Sequence, residues 1–259
     1  MSEERIEETS TPTEAVAQGF SWRRLFALAA IGAGLVITFA SIFIFKSADP
    51  PFMIMLVLFL VGGFLSFRPG KAGVTGIVLA SIAGAMFSFM GGMFAMSVIG
   101  YPESATDFIP VLSALSLSLT VLISAIALAI KGKGRGHEPS GAAKGLGALL
   151  AILLVVILGY SGYASTTVES ADALEGDVLV VTHDFEFAPE TVSADEGTIT
   201  VHVTNKDSAL HTFTIDELDV DLSIPGGTGA RVTFEADAGE YRFYCKPHGP
   251  DMDGKIEVS

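Results

Sequence analysis

The chain has 259 residues, a mean hydropathy of +0.54, 50% hydrophobic residues and only 17% charged ones. Ordinary soluble domains carry about 25% charge, so a disordered chain and a plain cytosolic enzyme are excluded, and the net charge of -14 excludes a nucleic-acid binder. One cysteine excludes an internal disulfide framework and a zinc site built on two or four thiolates, and five histidines are too few for a multicopper oxidase.

The charge is divided between two bodies. Residues 1–165 carry 9 acids against 10 bases, and residues 166–259 carry 20 acids against 5 bases. The boundary near residue 165 separates segments built for different solvents. Residues 1–20 are polar and acidic and read as a disordered cytoplasmic tail.

Five apolar runs follow, each of a length that reads as a membrane-spanning helix: Leu25–Phe45, Pro51–Phe67, Ala72–Gly100, Phe108–Ile130 and Gly145–Tyr163. Lys and Arg fall in alternate connections. Arg23 and Arg24 precede the first run, Arg68 and Lys71 follow the second, and Lys131, Lys133, Arg135 and Lys144 follow the fourth. The opposite connections hold only Lys46. This asymmetry puts the N-terminus in the cytoplasm and the C-terminal part outside. Trp22-Arg23-Arg24-Leu25-Phe26 also resembles a twin-arginine export signal, but the run after it is long for one and lacks a clear cleavage site.

The five runs contain no His, Asp, Glu, Lys or Arg, so no proton or ion path and no bis-histidine haem site is expected there. Gly76, Ala80, Gly84, Ser88 and Gly92 form a stripe of small residues suited to close helix packing. Met86, Met90, Met93 and Met96 recur at near-helical spacing in the third run, and Met53 and Met55 start the second. Thioethers bind Cu(I), yet methionine is also ordinary packing material. Copper conduction and plain packing both account for them, and the likeness to copper-uptake channels stops at a Met-x-x-x-Met pair.

Residues 164–175 read as an exposed tether. From Gly176 the pattern changes to period two. Val178–Thr182, Thr198–Thr204, His211–Ile215, Ala230–Glu235, Glu240–Tyr244 and Lys255–Val258 read as strands separated by Gly-, Asp- and Asn-containing turns. The expected fold is an α-helical transmembrane bundle followed by an all-β Greek-key sandwich over residues 176–259.

The chemistry lies near the C-terminus, in Tyr244-Cys245-Lys246-Pro247-His248-Gly249-Pro250-Asp251-Met252. One loop offers a thiolate, an imidazole and a thioether, and His211 can supply a second imidazole. Two His, one Cys and a long axial Met form the ligand set of a blue copper site. His202, between Val201 and Val203, is expected to face solvent; His183 starts a turn; His137 lies in a basic loop.

These residues resemble the cupredoxin family, of the plastocyanin and pseudoazurin type. The resemblance covers about residues 176–259. It rests on Phe187-Ala188-Pro189, Glu196-Gly197, Val203-Thr204-Asn205, His211, Ala238-Gly239-Glu240-Tyr241-Arg242-Phe243-Tyr244-Cys245, His248, Met252 and Gly254. It implies that His211, Cys245, His248 and Met252 hold one type 1 copper ion. It further implies that Asn205 stiffens the site by hydrogen bonding near the thiolate, and that a partly exposed His248 carries the electron out. The gap from His248 to Met252 differs from the family's familiar ones. A single cysteine excludes the binuclear centre of oxidase subunit II, and the spare histidines are poorly placed for copper nitrite reductase.

The expected function is a non-enzymatic, membrane-anchored carrier of single electrons on the outer face of a prokaryotic plasma membrane. Its redox partner is a cytochrome or terminal oxidase, with a membrane partner subunit possible in principle because five spans exceed what anchoring needs. The alternative is a copper-binding or delivery protein whose Met-rich spans assist transport.

Overall fold

The computed structural model describes residues 19–45, 49–132 and 135–259. Most of the expected N-terminal tail, Lys46 and Lys133 lie outside these residues.

Five helices stand where five spans were expected: α1 Trp22–Phe39, α2 Pro50–Ser66, α3 Gly70–Val98, α4 Ala105–Lys131 and α5 Gly141–Ser165. Helix α1 continues as a π-helical turn, Ala40–Ile44. Four of these segments are long and apolar enough to cross a membrane, and α2 has 17 residues, the short end of the spanning range. The Ser21 hydroxyl caps α1 by accepting from Arg24 N–H, Ser140 caps α5 in the same way through Ala143 N–H, and Pro50 and Pro51 open α2. Proline suits that position because the first N–H groups of a helix have no partner inside it.

The bundle core is made of small side chains around a few rings. Ala29, Ala30, Ala33, Ala80, Ala83 and Ala114 pack around Phe26, Met55, Phe59 and Phe87. Helices α2 and α3 nearly touch by backbone. A Cβ on Gly76 would stand 2.5 Å from Ser66 N and 2.6 Å from Gly62 O, and one on Gly62 would stand 2.7 Å from Ala80 N. The small-residue stripe therefore packs at Gly76 and Ala80, while Gly92 at its far end has nothing within 4 Å. Arg23 ties α1 to the end of α2, donating from Nε to Ser66 O (2.5 Å) and from its guanidinium to Arg68 O (2.7 Å). The basic ends of α1, α2 and α3 thus meet on one side of the bundle.

On the other side sits a sandwich of nine strands: β1 Val178–His183, β2 Glu186–Ala188, β3 Thr191–Ala194, β4 Gly197–Asn205, β5 His211–Ile215, β6 Val220–Ile224, β7 Gly229–Ala236, β8 Gly239–Cys245 and β9 Gly249–Val258. One sheet has the order β2-β1-β4-β7 and the other β3-β9-β8-β5-β6. The β1/β4 and β3/β9 pairs are parallel and the rest antiparallel. Val201 and Val203 on β4 point inward with Val180, Ile199, Ile215 and Ile256. Phe187, Phe213 and Phe243 stack at the centre, with ring centroids 4.7–6.4 Å apart.

One expectation needs correction, and it concerns His202. Residues 166–175 are mostly exposed but meet β7 at two points, Ala171 N–H donating to Gly229 O (2.8 Å) and Gly229 N–H donating to Ser170 Oγ (2.9 Å). The same segment covers His202, which is 6% exposed and bonds Ala171 O through Nε2 (2.9 Å). His202 therefore does not face solvent. Alternation alone cannot show that a later-docked segment covers the outer face of a strand. His183 and His137 are exposed, as expected.

The sandwich is seated on the bundle. Asp107, in the first turn of α4 and 1% exposed, accepts from Leu210 N–H (2.7 Å) and Ser104 Oγ (2.8 Å). Ser223 Oγ donates to Glu103 (2.8 Å), and Ser208 Oγ donates to Ile44 O. The fourth expected run began at Phe108, so this buried carboxylate went unrecognised; α4 starts three residues earlier and takes it in.

Candidate metal centre

Antiparallel pairing of β5 with β8, in register at Thr214 and Tyr244, brings the start of β5 to the end of β8. That register puts His211 beside Cys245. The chain then turns through residues 246–248, with His248 N–H donating to Cys245 O (3.3 Å), and leaves at Gly249 with φ +64°, which glycine adopts without strain. The turn folds His248 back over Cys245. The Nδ1 atoms of His211 and His248 are 3.2 Å apart, and Cys245 Sγ is 3.6 Å from the first and 3.3 Å from the second.

Met252 enters by a bulge. Tyr244 pairs with Asp253 and Cys245 with Gly249, so residues 250–252 are extra on the β9 side. The bulge bends Met252 inward, where it is 1% exposed and packs in the same buried cluster as Cys245 and Phe213.

Each donor is oriented by a neighbour. Asp207 Oδ2 lies 2.8 Å from His211 Nε2. A carboxylate only accepts, so the ring proton sits on Nε2 and the Nδ1 lone pair faces the sulfur. The same carboxylate accepts from Asp184 N–H (2.8 Å) and Phe185 N–H (3.2 Å). Both residues have positive φ, 53° and 63°, a conformation that costs non-glycine residues about 1–3 kcal/mol each. Asp207 thus holds a strained turn that sets the Phe185 ring edge-on to His211 (5.6 Å) and His248 (4.8 Å).

The thiol is partnered by Thr212 N–H (3.4 Å) rather than by Asn205. Asn205 braces the neighbouring loop instead. Its Nδ2 donates to Ala209 O and Ile224 O (both 2.8 Å), and its Oδ1 accepts from Thr182 and from Asp207 N–H. Asn205 stiffens the loop that carries Asp207 and ends at His211, without bonding the sulfur.

Burial pushes the Cys245 thiol up to about 11. Burial, with His211 adjacent, pushes His248 down to about 4, and burial also lowers His211 against the pull of Asp207. Burial works to raise Asp207, but His211 and the two backbone N–H groups outweigh it and hold it low. At neutral pH both imidazoles are therefore neutral and present lone pairs.

Residues 150–258 match the family model described as a cupredoxin-like domain. The sandwich is a cupredoxin-like domain. No curated protein matches the chain. Among solved structures, an oxidized mutant of amicyanin is similar at 20% identity over 35% of this chain and 89% of its own, with a TM-score of 0.31. A heme-copper terminal oxidase dimer is similar at 18% identity over 46% and 97%, with a TM-score of 0.29. The metal-binding domain of the Cu(I)-exporting P-type ATPase of Streptococcus pneumoniae is similar at 13% identity over 34% and 92%, also with a TM-score of 0.29.

A cupredoxin-like fold implies copper, and the donors fit it. Atoms held about 2.0–2.3 Å from one ion stand about 3.3–3.8 Å apart when bond angles lie between tetrahedral and trigonal. The two nitrogen–sulfur separations, 3.3 and 3.6 Å, fall in that range, and the nitrogen–nitrogen separation, 3.2 Å, is just short of it. Thiolate with two imidazoles is also the donor chemistry that copper prefers. Deprotonating a thiol whose pKa is about 11 requires such a cation, so metal entry displaces that proton.

His248 is half-buried, and the cavity that it borders is walled mainly by the helix bundle. Asp107, Asp207 and Phe185 were not singled out from the sequence. The spacing of Asp207 four residues before His211 was the one signal that could have found any of them.

Proposed function

We propose that this chain is a membrane-anchored carrier of single electrons, not an enzyme, with one type 1 copper ion held by His211, Cys245 and His248 and by Met252 as a long axial ligand. The convergence of two Nδ1 atoms and one Sγ within 3.6 Å carries this reading. Met252 and Phe185 close the remaining approaches, and a closed donor set suits electron transfer better than turnover of a substrate. The brace from Asp207 and the Thr212 bond keep the donors in place whichever charge the metal bears, so little rearrangement accompanies each cycle.

The basic ends of α1, α2 and α3 support a cytoplasmic N-terminus and, with it, a copper domain on the outer face of a prokaryotic plasma membrane. Residues 166–259 carry 20 acids against 5 bases, and this charge favours a partner with a basic docking face, such as a cytochrome or terminal oxidase. Copper delivery through the spans finds less support. Met93 and Met96 are 67% and 81% exposed on the outside of α3 and Met55 is buried in the core, and a single methionine, Met90, lines the cavity that His248 borders, which falls short of a chain of thioethers.

The test is to reduce the copper-loaded full chain and mix it with oxidised cytochrome c and, separately, with a Cu(I) chelator. The carrier reading expects rapid single-electron oxidation with copper retained through repeated cycles. Slow oxidation with ready loss of Cu(I) to the chelator would overturn it in favour of delivery.

A further inference from the structure

A cavity of about 580 Å³ lies between the outer end of the bundle and the cupredoxin-like domain, well within the range of about 300–1,000 Å³ common for small-molecule sites. Helices α1 to α4 contribute its walls, and Phe185 and His248 close it on the copper side. The walls are apolar and rich in rings: Phe52 from α2, and Phe87 and Phe94 from α3. The polar groups are few, namely the His248 imidazole, the Asp49 carboxylate and the Ser41 hydroxyl.

The helices are locally irregular around this space. Helix α1 leaves α-helical geometry at Ala40–Ile44, and Ala40 and Ser41 of that π-helical turn line the cavity. Such turns are frequent at functional sites. Across the cavity, Pro110 interrupts the hydrogen bonding of α4. Gly91 keeps the space open, because a Cβ there would stand 2.7 Å from the Phe87 ring.

The polar groups are placed to be used. His248 turns Nδ1 toward Cys245 and His211, which leaves Nε2 on the far edge of the ring as a donor. Asp49 makes no side-chain bond to the helix that it precedes.

We propose that this cavity binds a lipid-soluble quinone, its flat ring between the phenylalanines and a ring oxygen accepting from His248 Nε2–H. Walls made by membrane helices admit a ligand that partitions into lipid. Aromatic walls suit a flat, apolar group, and the imidazole selects one bearing an acceptor. A phospholipid acyl chain would suit the walls but offer nothing to the His248 imidazole. The preference for a redox-active ring rests on the copper reading; the cavity and its polar groups do not.

The test is calorimetric titration of the detergent-purified, copper-free full chain with decyl-ubiquinone. One saturable site is expected. Ala114→Phe, which puts a ring into the α4 wall, should weaken binding at least tenfold, and Val111→Phe from the same wall serves if that variant does not fold. Gly92→Phe, one residue from Gly91 but with nothing within 4 Å, should leave binding unchanged. Absent saturable binding, equal binding by the filled variant, or equal competition by phosphatidylglycerol would overturn the proposal. Because copper is left out, this failure is distinct from failure of the copper reading, which would appear as a colourless copper-loaded chain.

Discussion

The bundle and the sandwich bury their residues by opposite means. The bundle core is rich in alanine and glycine, with α2 and α3 in backbone contact at Gly62 and Gly76. Lipid is as apolar as a side chain, so burial brings little gain there and close approach supplies the cohesion. The sandwich core is Val, Ile and Phe around the Phe187, Phe213 and Phe243 stack, drawn together by removal of apolar surface from water. One half is sensitive to added volume and the other to lost volume. The metal donors sit in the second, where a rigid core fixes their spacing.

The largest effect should come from emptying the sandwich. Phe243 is fully buried next to Cys245 on β8, so Phe243→Ala should cost about 3–5 kcal/mol, measured by chemical denaturation of the full chain followed through loss of near-ultraviolet dichroism. The converse change belongs to the bundle. Gly76→Val should cost about 1–3 kcal/mol or more by overpacking α2 against α3, read as a lower melting temperature in detergent. If Gly76→Val were neutral, the two halves would not differ as described.

The seam between the halves is sharpened by Asp107. Asp107→Ala leaves the Leu210 N–H buried without its partner, which should cost about 1–3 kcal/mol. Because Leu210 precedes His211, the same change should alter the copper absorption spectrum while leaving copper content unchanged. Faster hydrogen exchange confined to the Leu210 amide region would locate the effect.

A smaller effect is expected at the edge of the sandwich. Asp177 is 3% exposed and takes a two-point contact from Arg231 (2.7 and 2.8 Å). Bonding to Arg231 and to Leu174 N–H lowers its pKa to about 2. A carboxylate that is more acidic when folded stabilises fully above its ordinary value, about 3.9, and loses that contribution as pH falls through the folded value. The stability gap between the wild type and Asp177→Asn should therefore shrink between about pH 4 and pH 2, measured by thermal melts across that range.

Much of this was legible beforehand because it depends on neighbours in sequence. The five apolar runs and the six long strands follow from hydropathy and period two. The Cys245, His248 and Met252 grouping follows from one loop. Strands β2 and β3 are short and flank Pro189, so their periods are too brief to register, whereas β6 is as long as β5 but follows an acidic turn at Asp216–Leu218 that reads as loop. What escaped notice depends on distant contacts. Asp107 lay one residue outside an apolar run, His202 was covered by a segment 31 positions earlier, and the turn at Asp184 and Phe185 makes sense only beside Asp207.

The central claim is a mononuclear centre with one sulfur and two imidazole donors. Electron paramagnetic resonance and visible spectra of the full chain loaded with Cu(II), beside Cys245→Ser, test it most directly. The account predicts one copper per chain, an intense sulfur-to-copper charge-transfer band, and loss of that band in the variant. A colourless wild type, a coupled two-copper signal, or zinc taken up in preference to copper would contradict it.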